Sequence, residues 1–167
     1  MHAERILGID PGLQVTGYGL LDCTAAKPKV VEAGIVRANP KAPLPERLLE
    51  IHSGIGEIIR AFQPTAVALE QLYSHYKRPQ TAILMGHARG VICLAAAQAA
   101  IPVEHYAATQ VKRILTGNGR APKTQVQLAI CRELNLPQIP EPHDVADALA
   151  IAICHVYLHA RAETLKQ

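Results

Sequence analysis

The order of apolar runs predicts an α/β protein, one five-stranded mixed sheet flanked by helices, in a chain of 167 residues. Three observations carry that prediction. Three strand-like runs follow one another near the start with short connections. A helical pattern then separates the third run from a fourth. The rest of the chain alternates helical periodicity with one more strand-like run.

Arg5–Asp10 is almost continuously apolar and is stopped by Pro11-Gly12, so it reads as a buried strand ending in a tight turn. Val15–Asp22, with Thr16, Tyr18 and two glycines, reads as the strand returning from that turn, and residues 30–36 as a third. The short links make these an antiparallel meander. Leu44, Leu48, Ile51, Ile55, Ile58, Ile59 and Phe62 then recur at helical spacing, which predicts an amphipathic helix over 45–62 with Pro45 in its first turn. Pro64 ends it and Ala66–Glu70 returns as a strand. A strand–helix–strand crossover implies parallel pairing, with the helix packed on the sheet.

Residues 74–80 are polar and basic, an exposed loop. Residues 81–100 form an Ala-rich helix, read as buried; His87 and Arg89 interrupt it and argue against a membrane span. A fifth strand follows over 102–106. Helices are predicted over 108–115 and Lys123–Leu134, around the turn Gly117-Asn118-Gly119, and a last one over 143–158 after a proline-bearing connection. No internal repeat or interdomain linker is visible, so residues 1–160 are expected to form a single domain and 161–167 a C-terminal tail.

Four carboxylates stand out in that frame. Asp10 and Glu70 each close an apolar strand, where an acid is costly to bury unless something pairs with it. If their strands are parallel neighbours, both lie at the carboxyl edge of the sheet, where open α/β sheets collect ligands. Asp144 and Asp147 open the last helix three residues apart, hence on one face. A shared site for a hard divalent cation is one reading, since Mg²⁺ prefers carboxylate and water oxygens. Crowded acids would repel and raise some pKa values. Isolated solvated acids, with Asp144 serving as a helix cap, is the other.

Composition is that of an ordinary soluble globular protein, 49% hydrophobic and 19% charged. The core must come from Ala, Ile, Leu and Val, because there is no Trp and one Phe. The charged start leads straight into a strand, so no secretory signal is expected. Cys23, Cys93, Cys131 and Cys154 are scattered without a Cys-x-x-Cys pair, which disfavours a zinc site or disulfide framework and fits the cytoplasm. Charge is uneven: Lys77, Arg78, Arg89, Lys112, Arg113, Arg120, Lys123 and Arg132 stand against Glu104 alone between residues 71 and 132. A basic middle beside acids suits a phosphate-backbone binder, although solvated helix faces would look the same.

The motifs around the acids resemble those of the RuvC family. They are Gly8-Ile9-Asp10-Pro11-Gly12 continuing to Thr16-Gly17-Tyr18-Gly19, and Ala68-Leu69-Glu70-Gln71. Gly86-His87-Ala88-Arg89-Gly90-Val91, Tyr106 to Lys112, Lys123-Thr124-Gln125-Val126 and Asp144 to Ala152 follow. They run in family order over nearly the whole chain. The resemblance implies a ribonuclease-H-like fold and a homodimer acting on four-way junction DNA alongside the RuvA–RuvB branch-migration complex. It implies Mg²⁺-dependent hydrolysis, two ions per subunit with Mn²⁺ able to substitute, one cut on each of two opposed strands, and 5′-phosphate and 3′-hydroxyl ends. Asp10, Glu70, Asp144 and Asp147 match the metal-binding catalytic acids, and Lys112 and Lys123 match lysines near the scissile phosphate. Tyr73 lies where the family carries a base-stacking aromatic.

Around these, Lys77, Arg78, Arg113 and Arg120 are candidate DNA contacts. Arg89, inside an apolar helix, is expected to be structural. His143 is expected to support the acids from outside or do nothing; His155 and His159, spaced i, i+4 without a further ligand, are expected at the surface. The glycines and alanines of residues 81–100 suit either core packing or a dimer face.

Other classes are weaker. Actin-like ATPases and sugar kinases begin with a similar strand but need a second nucleotide-binding domain, for which this length leaves no room. A DNA-binding module without catalysis should lack at least one acid, and all four are present. A related resolvase-like or RNA-processing nuclease is the nearest competitor.

Overall fold

The computed structural model describes residues 4–72 and 78–165. Strands β1 (Arg5–Asp10), β2 (Val15–Asp22) and β3 (Lys29–Arg37) form the antiparallel meander, followed by helix α1 (Leu44–Phe62) and strand β4 (Ala66–Glu70). Helix α2 (Pro79–Gln98), strand β5 (Val103–Tyr106) and helices α3 (Ala108–Thr116), α4 (Lys123–Leu134) and α5 (His143–Thr164) complete the chain. Among the described residues there is one sheet, in the order β3-β2-β1-β4-β5, with β1 parallel to β4 and β4 parallel to β5.

Strand alternation divides the sheet into two chemically different faces. Leu7, Ile9, Leu20, Val67 and Leu69 face α1 and α2, where Ile51, Ile55, Ile59, Ala88 and Ile92 cover them. Ile6, Leu21, Ala66 and Ala68 face α5, whose Ala146, Leu149, Ala150 and Ile153 are buried against them. The residues between these, Gly8, Asp10 and Glu70, therefore share the α5 face.

Four expectations need correction. Helix α2 is not a buried helix: Ala88, Ile92, Ala95 and Ala96 pack inward, but Ile83, Leu84 and Leu94 are exposed. Of the loop expected over 74–80, Pro79 and Gln80 already belong to α2. Helix α5 runs on through Arg161–Thr164, into the stretch expected as a tail. By length and composition α5 could cross a membrane, yet it is the core helix of this fold and 56% of its apolar window is buried. His155 is also not at the surface. It is 4% exposed, its Nδ1 lies 2.8 Å from the Tyr106 hydroxyl, and its ring stacks on His159 at 4.1 Å. Burial holds His155 neutral, with a pKa pushed down to about 4.

Candidate active site

The site begins with a turn. Thr16, fully buried, donates its hydroxyl to the Gly12 carbonyl at 2.9 Å and accepts the Gly12 N–H at 3.3 Å. A Cβ on Gly12 would lie 2.1 Å from the Val15 carbonyl oxygen, so the turn closes this tightly only around glycine. That turn fixes the end of β1 and hence Asp10.

Glycine also brings the final helix to the strands. Gly8 pairs with Gly19, and Asp10 with Gly17, across β1 and β2. A Cβ on Gly8 would meet the Ala148 carbonyl oxygen at 2.1 Å, one on Gly17 the Asp144 carbonyl oxygen at 2.1 Å, and one on Gly19 the Leu149 Cδ2 at 2.5 Å. Helix α5 thus rests on bare backbone, and its first turn comes down beside the strand residue paired with Asp10. Its N-cap is Pro142, with no side-chain cap, so Asp144 is not the helix cap.

Asp10 comes within electrostatic reach of Glu70, Asp144 and Asp147 as a result. Asp10 is the most perturbed: burial, then a hydrogen bond to Glu70, then the charges of Glu70, Asp147 and Asp144 push its pKa up to about 9. Asp10 therefore keeps a proton that it can donate to Glu70. Asp147 is also raised, chiefly by burial, against the opposing pull of Lys123 and His143. Lys123 Nζ lies 3.7 Å from Asp147, with both side chains substantially exposed, so the pair adds little stability. His143 Nε2 lies 3.6 Å from Asp144 Oδ1, beside the acids.

Next to the acids is a cavity of about 250 Å³ lined by Glu70, Lys112, Lys123 and Asp147 together with Val111, Val126 and Ile151. Two carboxylates and two lysines from β4, α3, α4 and α5 thus line one cavity. Arg113 and Arg120 are exposed on α3 and on the turn before α4, and Arg78 is exposed at the N-cap of α2. Neither ion pair that the structure holds among the described residues includes them. Tyr73 and Lys77 lie outside the described residues.

Among the described residues, no three His, Cys, Asp or Glu side chains converge into a ready-made metal cage. The donor chemistry nevertheless fits a hard divalent cation: the donors are all carboxylate oxygens, they repel one another, and one holds a proton that a cation would displace. Mg²⁺ commonly uses few protein carboxylates and keeps several waters, so an open arrangement suits it. Two contributions are not legible in the residue types alone: the close approach at Gly8, Gly17 and Gly19, and the hydrogen bond that the Arg89 guanidinium donates to the Glu70 carbonyl. The first has a trace in sequence, glycines at alternate positions of a strand, which line one face.

The chain matches the family model of the crossover junction endodeoxyribonuclease RuvC over residues 6–155. It is 57% identical over 156 residues to that enzyme of Rhodopirellula baltica, covering 93% of this chain and 88% of the relative. It is 45% identical over 150 residues to that of Desulforamulus reducens, covering 90% and 91%. The structure superposes on Thermus thermophilus RuvC in complex with a Holliday junction substrate with a TM-score of 0.89, 36% identity and 98% of each chain covered. A yeast mitochondrial Holliday junction resolvase, at 11% identity and a TM-score of 0.64 over 91% of this chain and 78% of its own, shares the fold.

Proposed function

Because the chain belongs to the family of the crossover junction endodeoxyribonuclease RuvC, we propose that it resolves Holliday junctions by Mg²⁺-dependent nicking of two opposed strands, in DNA recombination and repair. The observation that carries this reading is the meeting of Asp10, Glu70, Asp144 and Asp147 beside Lys112 and Lys123 at one end of the sheet.

The four acids would hold the metal, two Mg²⁺ per subunit with Mn²⁺ able to substitute. Bound there, the cations would activate a water and stabilise the leaving oxygen of a phosphodiester. The protein's own groups do the remaining work. Lys112 and Lys123, on the cavity wall, bind phosphate oxygens and offset negative charge that develops as the bond breaks. The products are 5′-phosphate and 3′-hydroxyl ends. Arg78, Arg113 and Arg120, together with Tyr73 and Lys77, would hold the junction arms.

Two symmetric cuts call for two sites related by a two-fold axis. Helix α2 offers the surface for that homodimer. Ile83 and Leu94 are 62% and 51% exposed and share an outward face with Gly86 and Gly90, where a Cβ would meet nothing within 4 Å. A second α2 could approach that bare stripe closely. Action in the cytoplasm alongside a RuvA–RuvB complex belongs to the same reading.

The test incubates the protein with a mobile four-way junction, a plain duplex and an RNA–DNA hybrid, each with Mg²⁺, Mn²⁺ or chelator. Paired nicks restricted to the junction and dependent on the cation are expected. Equal cutting of all three substrates would remove the junction specificity, and cutting in chelator would remove the metal mechanism.

A further inference from the structure

The acid at the end of β4 is held from behind. Glu70 directs its carboxylate to the α5 face, but its backbone lies where the ladder runs out on one side. The β1–β4 register ends at Ile9↔Leu69, whereas β5 still pairs Tyr106 with Glu70. Arg89 of α2 reaches this point from the opposite face of the sheet. One guanidinium nitrogen (Nη1) donates to the Glu70 carbonyl, and the other (Nη2) lies 2.8 Å from His105 Nδ1 on β5. Arg89 itself is anchored next to Ala88, fully buried, and one turn before Ile92, also fully buried. The planar fork therefore ties three elements together: α2, the end of β4 and the edge strand β5.

We infer that Arg89 is a positioning residue, fixing the Glu70 backbone so that its carboxylate stays within reach of a divalent cation shared with Asp10. The carbonyl it holds and the Cα–Cβ bond that aims the carboxylate belong to the same residue, so without Arg89 the carboxylate is aimed by the pairing with Tyr106 on one side alone. His105 keeps the guanidinium from swinging away, because its ring nitrogen occupies the second branch of the fork. Groups that orient metal-binding side chains from outside typically change metal affinity or activity by ~10–100-fold when removed. Helix α2 also carries the surface proposed for the homodimer, so Arg89 physically joins that surface to the acid site.

The inference rests on the metal-dependent reading above, and the experiment separates the two. Mn²⁺ binding is titrated by electron paramagnetic resonance in wild type, Glu70→Gln, Arg89→Met, Arg89→Lys and His105→Ala, with junction binding in chelator and kcat for junction cleavage measured in parallel. Glu70→Gln must weaken Mn²⁺ binding; wild-type affinity in that variant would sink the metal reading itself. Given that loss, Arg89→Met is expected to weaken Mn²⁺ binding and kcat by ~10-fold or more, with junction affinity in chelator within about twofold of wild type. Arg89→Lys, which keeps one donor for the carbonyl, should recover most of the Mn²⁺ affinity. Wild-type Mn²⁺ affinity in a folded Arg89→Met overturns the inference, as does an equal loss in Arg89→Lys. Should Arg89→Met fail to unfold cooperatively, His105→Ala carries the test, since His105 is exposed on an edge strand. A ~3-fold weaker Mn²⁺ affinity is expected for it, and no change overturns the inference.

Discussion

The two faces of the sheet are built on opposite principles. Toward α1 and α2, Leu7, Ile9, Leu20, Val67 and Leu69 fill the space with branched side chains, and the helices stand off at the distance those side chains need. Toward α5, the central strands present Gly8, Gly17 and Gly19, and the helix backbone sits on the strand backbone. The first face contributes adhesion and tolerates adjustment. The second gives up apolar volume so that a helix start and two strand ends occupy one small region. A site of mutually repelling acids needs this rigidity, because the acids do not hold themselves together. The large apolar face and the closely seated helix supply the stabilisation that offsets their repulsion.

Substitutions on the two faces should therefore separate stability from chemistry. The largest effect is expected from Asp10→Asn, which should lower junction cleavage by at least ~10³-fold, a loss of the size seen when one member of a catalytic unit is removed. Junction binding should survive, as read by gel shift in chelator. Loss of binding along with cleavage would mean that Asp10 serves the fold instead. Next in size, Gly17→Ala places a methyl group against the Asp144 carbonyl and must lift the first turn of α5. A displacement near 1 Å costs ~10²-fold in rate, and overpacking adds ~1–3 kcal/mol of destabilisation; steady-state kinetics and urea melts measure the two.

Ile55→Ala, fully buried on the other face, sharpens the contrast. It should cost ~2–5 kcal/mol in urea unfolding while the cleavage rate per folded molecule stays within about twofold of wild type. A rate loss matching that of Gly17→Ala would erase the distinction between the faces.

A smaller effect concerns pH. The Asp10 pKa is raised from 3.8 in the unfolded chain to about 9 in the folded one. Its contribution to stability is therefore fully present below about 3.8 and is lost as pH rises toward 9. In chelator, wild type should melt at progressively lower temperature from pH 5 to pH 8.5, and Asp10→Asn should flatten most of that slope. Asp147, also raised, leaves a residual slope of the same sign. At pH 8 in chelator, Asp10→Asn should melt several degrees above wild type, since ~1 kcal/mol corresponds to ~2–4 °C at this chain size. A lower melting temperature would contradict the assigned strain. Arg120→Ala, on the exposed turn before α4, should do least, weakening junction binding modestly and lowering its salt slope by ~1.

Some of this was readable from residues alone. The strand that ends at Asp10, the crossover through α1 and the return at Glu70 follow from periodicity and from Pro11, Pro45 and Pro64, because local sterics and apolar spacing act over a few residues. The acid pair on the first turn of α5 follows from helix geometry in the same way. His155 departs from its expected surface position because i, i+4 spacing says which residues share a face and not what covers it. Its ring nitrogen meets the Tyr106 hydroxyl, which β5 brings across from far along the chain. The exposed apolar side of α2 was hidden likewise, since a composition rich in Ala and Gly suits a core helix and an interface helix equally well.

The elements, their order, the parallel crossover and the four acids as candidates follow from residue order alone, because these depend on short-range stereochemistry and on alternation along each element. That the acids meet, that burial and the neighbouring acids push the Asp10 pKa up, and that Arg89 reaches Glu70 all arise from the packing of the chain. Those outcomes depend on distances between elements far apart in the chain. The meeting of the acids is set by the missing Cβ atoms at Gly8, Gly17 and Gly19, which let α5 approach the strands closely, and the reach of Arg89 by the packing of α2 on the opposite face.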